Sequence, residues 1–178
     1  YPIPLPSGIG LEACGMVEEI GSDVTLFKVG DRVAHSSMPI GSYSEKQIFP
    51  QEKLVLVPEG ISNEIASVIM LKGITAEYLL HRAYPAKKGD KVLFHAAAGG
   101  VGQILCQWAN AIGCTVIGTV GSKEKEAIAK QNGCHHVINY TDHNFVEEVE
   151  KIVGKNGIDV VYDGVGASTF EGSIECLK

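Results

Sequence analysis

The segment 91–113 places a glycine-rich turn between a short apolar run and an amphipathic stretch. Val92, Leu93 and Phe94 form the run, which predicts a buried β-strand, and apolar residues recur at helical spacing after residue 103. A helix that begins at such a turn points its first N–H groups and the positive end of its dipole at the turn. The sequence therefore predicts an anion-binding β-α-β unit, which is typical of a doubly wound parallel sheet.

The glycines of this turn match the spacing of a dinucleotide-binding fingerprint. Gly99 and Gly102 occupy its second and third glycine positions, with Ala97 at the first and Gly100 and Val101 between them. Without a Cβ atom, Gly99 would let a pyrophosphate approach the backbone, and Gly102 would let the helix lie close to the strand. We therefore expect a dinucleotide cofactor at this turn.

The next predicted strand, 114–120, indicates which dinucleotide is preferred. An NAD-binding site places Asp or Glu on the ribose 2′-hydroxyl roughly 20 residues after the glycines. The strand here ends without an acid, at Gly121, and Ser122, Lys123 and Lys125 follow. A hydroxyl and two ammonium groups can contact a 2′-phosphate, which favours NADP. Alternatively, Ser122 only caps a helix that begins at Lys123 and both lysines are solvated, and the two roles can coexist.

Composition limits the class of protein. The chain has 178 residues, of which 45% are hydrophobic, and a net charge of −6. No run approaches the ~18 apolar residues of a membrane span, and the first residues lack a signal-peptide pattern, so the expected location is cytoplasmic. The acidic balance gives no support for nucleic-acid binding. Five scattered cysteines without a CxxC spacing argue against a disulfide framework or a zinc cluster.

Two patterns divide the chain. Residues 8–58 contain short β-prone runs separated by glycine turns (14–20, 32–35, 43–49 and 54–57), which predict a small barrel-like domain. Ser62 can cap a helix that links this part to the next. From residue 91 strands and helices alternate, with later strands at 137–139 and 158–163 and helices at 125–131, 145–153 and 169–177. The predicted fold class is α/β.

Seven blocks in the same order carry a resemblance to a known family. They are GLEACGMVEEIG (10–21), VGDRV (29–33), LKGITAEYLL (71–80), FHAAAGGVGQILCQWANAIG (94–113), GTVGSKEK (118–125), VINY (137–140) and VVYDGVG (160–166). The chain resembles the medium-chain dehydrogenase/reductase superfamily, and within it the NADPH:quinone oxidoreductases related to zeta-crystallin. The resemblance implies part of a GroES-like β-barrel domain over 1–72 and an incomplete Rossmann domain over 73–178. It also implies that segments before Tyr1 and after Lys178 are missing.

The resemblance also implies which residues bind NADPH. The pyrophosphate would lie against Gly99, Gly100, Val101 and Gly102. The 2′-phosphate would be held beside Gly121 by Ser122, Lys125 and Tyr140. The nicotinamide end would lie near Thr75 and Tyr78. Tyr140 has an alternative interpretation as an aromatic residue at a strand end, and Thr75 as a helix hydroxyl bonded to its own backbone.

The zinc enzymes of the superfamily carry a His-Glu pair where this chain has Leu11-Glu12. Leucine cannot ligate a metal, and a catalytic zinc needs three protein ligands. Cys14 and His35 have no partners at ligand spacing, so no metal site is expected. We interpret His35 and His95 as structural residues, and His135 and His136 as exposed loop residues.

The predicted function is zinc-independent hydride transfer from NADPH to a quinone, with a one- or two-electron outcome left open. The full-length parent is expected to be a homodimer. No catalytic acid or base is identified, since solvent can deliver the proton. One alternative is a non-catalytic NADPH-binding protein of the crystallin type. Another is a reductase of enals or enones, which uses the same hydride chemistry. A zinc alcohol dehydrogenase ranks last.

Overall fold

A computed structural model of the protein describes residues 3–178. The chain divides into two units, Tyr1–Leu71 and Lys72–Lys178. A helix, α1 (Asn63–Glu77), begins in the first unit and ends in the second.

The first unit contains a three-stranded antiparallel sheet in the order β1-β2-β3. Its strands are β1 (Ala13–Met16), β2 (Arg32–His35) and β3 (Val55–Leu56). A single 3₁₀ turn, Gln51–Lys53, precedes β3. Val33 and Ala34 of the central strand are buried. The predicted strands at 32–35 and 54–57 are therefore present, the second in a shorter form.

The predicted strand at 43–49 is wrong, because this segment has no regular structure. The Ser44 hydroxyl donates to the Gly41 carbonyl at 2.8 Å and the Gln47 amide donates to the Pro39 carbonyl at 3.2 Å. Both bonds run from side chains of the segment to backbone carbonyls that precede it, and they hold a local turn. Ile48 points into solvent, with 97% of its surface exposed. The segment has β-prone residues but no buried face to hold them in a sheet.

The second unit is a four-stranded parallel sheet in the order β6-β5-β4-β7, with helices between successive strands. Its strands are β4 (Lys91–Phe94), β5 (Thr115–Val120), β6 (His136–Asn139) and β7 (Val160–Tyr162). Its further helices are α2 (Gly100–Ile112), α3 (Lys123–Gln131), α4 (Phe145–Val153) and α5 (Phe170–Cys176). Each was predicted to within a few residues, and the α/β fold class is confirmed.

Helices cover both faces of this sheet. Because neighbouring residues of a strand point to opposite sides, each strand contributes side chains to both of the buried cores. Val92 and Val116 pack in one buried cluster with Leu105 of α2. Leu93 and Ile117, the next residues along the same strands, pack in a second cluster. Its other buried members are Ile138, Val149, Ile158 and Cys176. The two cores fix the sheet between two helical layers, which is the doubly wound arrangement.

The end of α1 widens into a π-helical turn, Tyr78–Ala83. The Tyr84 N–H donates to the Leu79 carbonyl at 3.2 Å, five residues back, where an α-helix would reach four. The start of α1 is capped as predicted, since the Ser62 hydroxyl accepts from the Ile65 N–H at 3.3 Å. The sequence located the helix but not its change of pitch.

Candidate functional site

The strand order places the candidate site at one edge of the second unit. From β4 the chain moves outward through β5 to β6, and then returns to pair β7 with the other side of β4. The order therefore reverses between β4 and β7. Ligands of open parallel sheets bind in the crevice outside the carboxyl ends of the strands at such a reversal. Two connections leave the sheet here, the glycine turn after β4 and the loop 163–169 after β7.

The glycine turn leaves the N-terminus of α2 open. Gly99 is the N-cap, so no side chain at that position accepts a hydrogen bond from the first turn, and the Gln103 N–H is the first that bonds back to Gly99, at 2.9 Å. The N–H groups of Gly100, Val101 and Gly102 precede it. Gly99 and Gly100 are exposed and the first turn of α2 has no acid. Backbone donors and the positive end of the helix therefore meet at an accessible anion site.

At two glycines of this turn a Cβ atom would meet a close contact. A Cβ atom on Gly102 would lie 2.5 Å from the Ala97 carbonyl oxygen, so only glycine lets α2 start this close to β4. A Cβ atom on Gly100 would lie 2.9 Å from Cδ of Lys72, whose stem crosses the turn from α1. Thr75 follows Lys72 by three residues, on the same side of the helix. Sequence reasoning did not identify Lys72, because nothing local marks a contact 28 residues away.

The predicted 2′-phosphate residues gather at the ends of β5 and β6. A Cβ atom on Gly121 would lie 2.5 Å from the Tyr140 hydroxyl oxygen, so the phenol lies directly over this glycine. Tyr140 is half exposed, at 52%, and its N–H donates to the Val120 carbonyl at 3.1 Å. Lys125 is exposed in the first turn of α3. An ammonium group and a phenol thus lie at the strand ends where the ribose would be expected.

Ser122 serves as the cap of α3. Its hydroxyl oxygen accepts from the Lys125 N–H at 3.4 Å. A hydrogen bond from the same hydroxyl, together with the backbone N–H of Glu124, lowers the pKa of the Glu124 carboxyl. The capping interpretation is therefore what the geometry shows. A phosphate contact would have to replace the bond to Glu124, whose negative charge lies beside the expected phosphate position.

Thr75 lies in the last turns of α1, and Tyr78 begins the π-helical turn with 54% of its surface exposed. They lie on one helical segment, which also carries Lys72, whose stem crosses Gly100. The predicted site residues thus form three groups within the second unit: the glycine turn, the cluster at Gly121 and this segment.

Four histidines were predicted from the sequence to be either structural or exposed in loops. His35 and His95 are buried, in agreement with a structural role. His136 is an exposed residue of strand β6, and the His135 ring accepts from the Val116 N–H at 3.0 Å through Nδ1. His135 is an exposed residue of the bend before β6, as expected, whereas the loop interpretation of His136 is wrong, because the edge strand begins at this residue.

Within residues 3–178 no three His, Cys, Asp or Glu side chains lie close enough together to hold a metal ion. All five cysteines are free thiols. No helix of the described chain is long and apolar enough to cross a membrane.

Comparison with known proteins agrees with this geometry. Residues 1–84 match the alcohol dehydrogenase GroES-like domain, and residues 100–178 match the zinc-binding dehydrogenase family. A quinone oxidoreductase of Pseudomonas aeruginosa is 49% identical over 99% of this chain and 55% of its own length. A 2-haloacrylate reductase of a Burkholderia species is 47% identical over 97% of the chain and 53% of its own length.

A solved structure shows the same fold. The Escherichia coli quinone oxidoreductase in complex with NADPH superposes with a TM-score of 0.95 and 46% identity, over 100% of this chain and 55% of that one. The chain thus spans about half the length of the relatives it matches. Together the two family matches cover almost every residue, and they agree with the named relatives. The chain belongs to the medium-chain dehydrogenase/reductase superfamily and, within it, to the quinone oxidoreductase family.

Proposed function

We propose that the protein binds NADPH and transfers its hydride to a quinone. The observation that carries the proposal is the open N-terminus of α2 at the strand-order reversal, next to a β5 end without an acid. The first feature suits a pyrophosphate, and the second favours a phosphorylated ribose. The names of the relatives at 46–49% identity support the quinone as acceptor.

The residues present fit this cofactor. The N–H groups of Gly100, Val101 and Gly102 would donate to the pyrophosphate, and Gly99 leaves room for it to approach. Lys125 and the Tyr140 hydroxyl would hold the 2′-phosphate, with Ser122 once its bond to Glu124 is released. Thr75 and Tyr78 would orient the nicotinamide end. When bound, NADPH supplies the hydride, and the protein positions it.

The homodimer, the cytoplasmic location and the absence of a zinc requirement belong to the same proposal. They rest on the resemblance and on the lack of a His-Glu pair at Leu11-Glu12. A second acceptor class is favoured by the 2-haloacrylate reductase, whose name indicates an activated carbon–carbon double bond. A quinone and such an alkene both accept hydride at an electron-poor carbon. The non-catalytic alternative shares the cofactor site and differs only in turnover.

The cofactor part is tested by fluorescence titration of the chain with NADPH and NADH. Lys125→Ala should weaken NADPH binding about tenfold or more and leave NADH almost unchanged, because a charged hydrogen bond to phosphate contributes about 1.5–3 kcal/mol. Lys130→Ala, which removes an exposed lysine from the last turn of the same helix, is the matched control. Equal losses for both nucleotides, or equal effects of the two variants, would contradict the 2′-phosphate assignment.

The acceptor part is tested by steady-state NADPH oxidation with a panel of small quinones, enones and 2-haloacrylate. Faster turnover with quinones supports the proposal. Faster turnover with the enones or with 2-haloacrylate would instead identify the activated alkene as the acceptor. Binding of NADPH without consumption by any acceptor would identify a binding protein instead.

A further inference from the structure

A chain of buried polar groups lies beneath the crevice between the glycine turn and the loop 163–169. Its centre is His95, the residue between β4 and the turn, which is 2% exposed. Its Nδ1 atom lies 2.9 Å from the Thr119 hydroxyl of β5, and its Nε2 atom lies 3.0 Å from the Ser173 hydroxyl of α5. Thr119 and Ser173 are also buried. One imidazole therefore connects the end of β4 to β5 and to α5.

The chain continues from Ser173 to the loop after β7. The Ser173 hydroxyl donates to Asp163 Oδ2 at 2.8 Å. The other carboxylate oxygen, Oδ1, accepts from the N–H groups of Val165 and Gly166 at 2.9 and 3.0 Å and from the Thr169 hydroxyl at 2.9 Å. Asp163 thus bonds to three residues of the loop, Val165, Gly166 and Thr169. His95 reaches this anchor through Ser173.

The direction of each hydrogen bond follows from the number of protons available. Asp163 is an acceptor only, because its hydrogen bonds outweigh the effect of burial and lower its pKa to about 2. Ser173 has one hydroxyl proton, which it donates to Asp163, so its oxygen can only accept from His95. The Nε2 atom of His95 must therefore carry the proton. Burial lowers the pKa of His95, so the ring is neutral and its Nδ1 atom accepts from the Thr119 hydroxyl.

His95 directly precedes the glycine turn, so its hydrogen bonds affect the conformation of the first residues of the turn. The next residue, Ala96, has φ +58°, a conformation that residues with side chains rarely adopt. Its neighbours are fixed on both sides: the His95 N–H donates to the Tyr162 carbonyl at 3.1 Å, and the Ala97 N–H donates to the Thr119 carbonyl at 3.0 Å. The ring of Phe145 packs edge-on against His95, with centroids 5.0 Å apart. Rotation of the imidazole would disturb the first residues of the glycine turn.

We propose that His95, as a neutral imidazole protonated at Nε2, is a positioning residue that couples the glycine turn to the loop 163–169. The two walls of the crevice then keep one relative arrangement, with Ser173 as the link between them. The coupling is a property of the fold and needs no ligand. Its consequence for nucleotide affinity rests on the proposed function.

The tautomer is tested by long-range ¹H–¹⁵N correlation of the histidine rings in the ¹⁵N-labelled chain. The His95 signals, assigned by their loss in His95→Gln, should show a protonated Nε2 and an unprotonated Nδ1 at neutral pH. Thr119→Val, which replaces the hydroxyl with a methyl group, should disturb this pattern, and Thr119→Ser should restore it. A proton on Nδ1, or an average of the two tautomers in the unmodified chain, would overturn the proposal.

The coupling is tested by amide hydrogen exchange in Ser173→Ala. Exchange should rise about tenfold in both walls, at Ala97 and Gly99 as well as at Val165 and Gly166, because a buried imidazole N–H loses its acceptor. Ser168→Ala, which changes an exposed serine of the same loop, should leave all four amides unchanged. An increase confined to the loop 163–169, or one spread evenly over the sheet, would show that Ser173 is only structural.

Titration of Ser173→Ala with NADPH and NADH distinguishes a failure of this proposal from a failure of the proposed function. Ser173→Ala should weaken NADPH and NADH binding by the same factor, about tenfold, since the glycine turn serves the part that both nucleotides share. This differs from Lys125→Ala, which should change the ratio of the two affinities. A chain that binds neither nucleotide contradicts the proposed function, while the tautomer and the exchange data still decide the role of His95. Unchanged affinity for both nucleotides in Ser173→Ala would overturn its link to binding.

Discussion

At the scale of single residues, the absence of a side chain at Gly121 makes room for Tyr140 at the end of β5. Tyr140 comes 19 residues later in the sequence, yet its hydroxyl occupies the space above Gly121 where any other residue would place Cβ. Tyr140 is half exposed, and the contacting atom is the far end of its side chain. The ring can therefore move aside without disturbing the core. Stability and ligand binding can be separated at this position.

Gly121→Ala should displace the Tyr140 hydroxyl and weaken NADPH binding about fivefold, the loss expected when one phosphate hydrogen bond is removed. The free energy of unfolding should change by less than about 0.5 kcal/mol, since only an exposed side chain moves. Titration and urea unfolding measure the two effects.

A double-mutant cycle provides the control for Gly121. In a Tyr140→Ala background the Gly121→Ala change should cause almost no further loss of affinity, because both act on the same hydroxyl. Additive losses would mean that Gly121 contacts the nucleotide itself.

At the scale of secondary-structure elements, the site depends on how closely α2 begins beside β4. Gly102 and Gly100 are separated by one residue but meet different obstacles. Gly102 faces backbone carbonyl oxygens of Ala96 and Ala97, which are fixed by the sheet and the turn. Gly100 faces only the aliphatic stem of Lys72. Two glycines of one turn thus meet different physical constraints.

Gly102→Ala should destabilise the protein by about 1–3 kcal/mol, the usual effect of overpacking a rigid site, because α2 must shift away from β4. Gly100→Ala should leave stability unchanged or raise it slightly, since Lys72 can move and alanine favours a helix. Urea unfolding followed by circular dichroism compares the two. Equal destabilisation would show that the Lys72 stem is as rigid as the backbone.

At the scale of the whole molecule, buried titratable groups make stability depend on pH. Burial lowers the pKa of His35 and of His95, the latter against the opposing charge of Asp163. Both rings are neutral in the folded state and take up protons more readily when unfolded, so stability should begin to fall below pH ~6.5. Asp163 adds a second, more acidic step.

The pKa of Asp163 is about 2 in the folded protein, below its value of about 3.9 in an unfolded chain. Its contribution is therefore fully present above pH ~4 and is lost as the pH falls from ~4 to ~2. Water screening limits this contribution to no more than about 2 kcal/mol. Asp163→Asn should lower stability at pH 7 and flatten the decline between pH 4 and 2.

Urea unfolding at pH 7, 4 and 3 measures this step. Glu150→Gln, which removes an exposed carboxylate from the same unit, is the matched control and should keep the full decline. An equally steep acid decline in Asp163→Asn would assign the step to other carboxylates.

The local features of the molecule were predictable because they are set by contacts within a few residues. Short apolar runs marked the strands of the second unit, and helical patterning marked α2 to α5. The spacing of Gly99 and Gly102 marked the turn, and Ser122 marked the start of α3. The predicted strand at 43–49 was wrong because a strand does not depend on local contacts alone. Its β-prone composition is local, but a strand also needs a partner and a buried face, which lie elsewhere in the chain.

The sequence by itself determined the α/β class, the order of the elements and the position of the anion-binding turn. Only the tertiary structure decided that Tyr140 lies over Gly121, that the Lys72 stem crosses Gly100, and that His95 reaches Ser173, 78 residues away. Those contacts depend on how strands stack side by side and on which glycines permit close approach. No short-range pattern encodes them, because each forms only after the sheet has brought distant residues together.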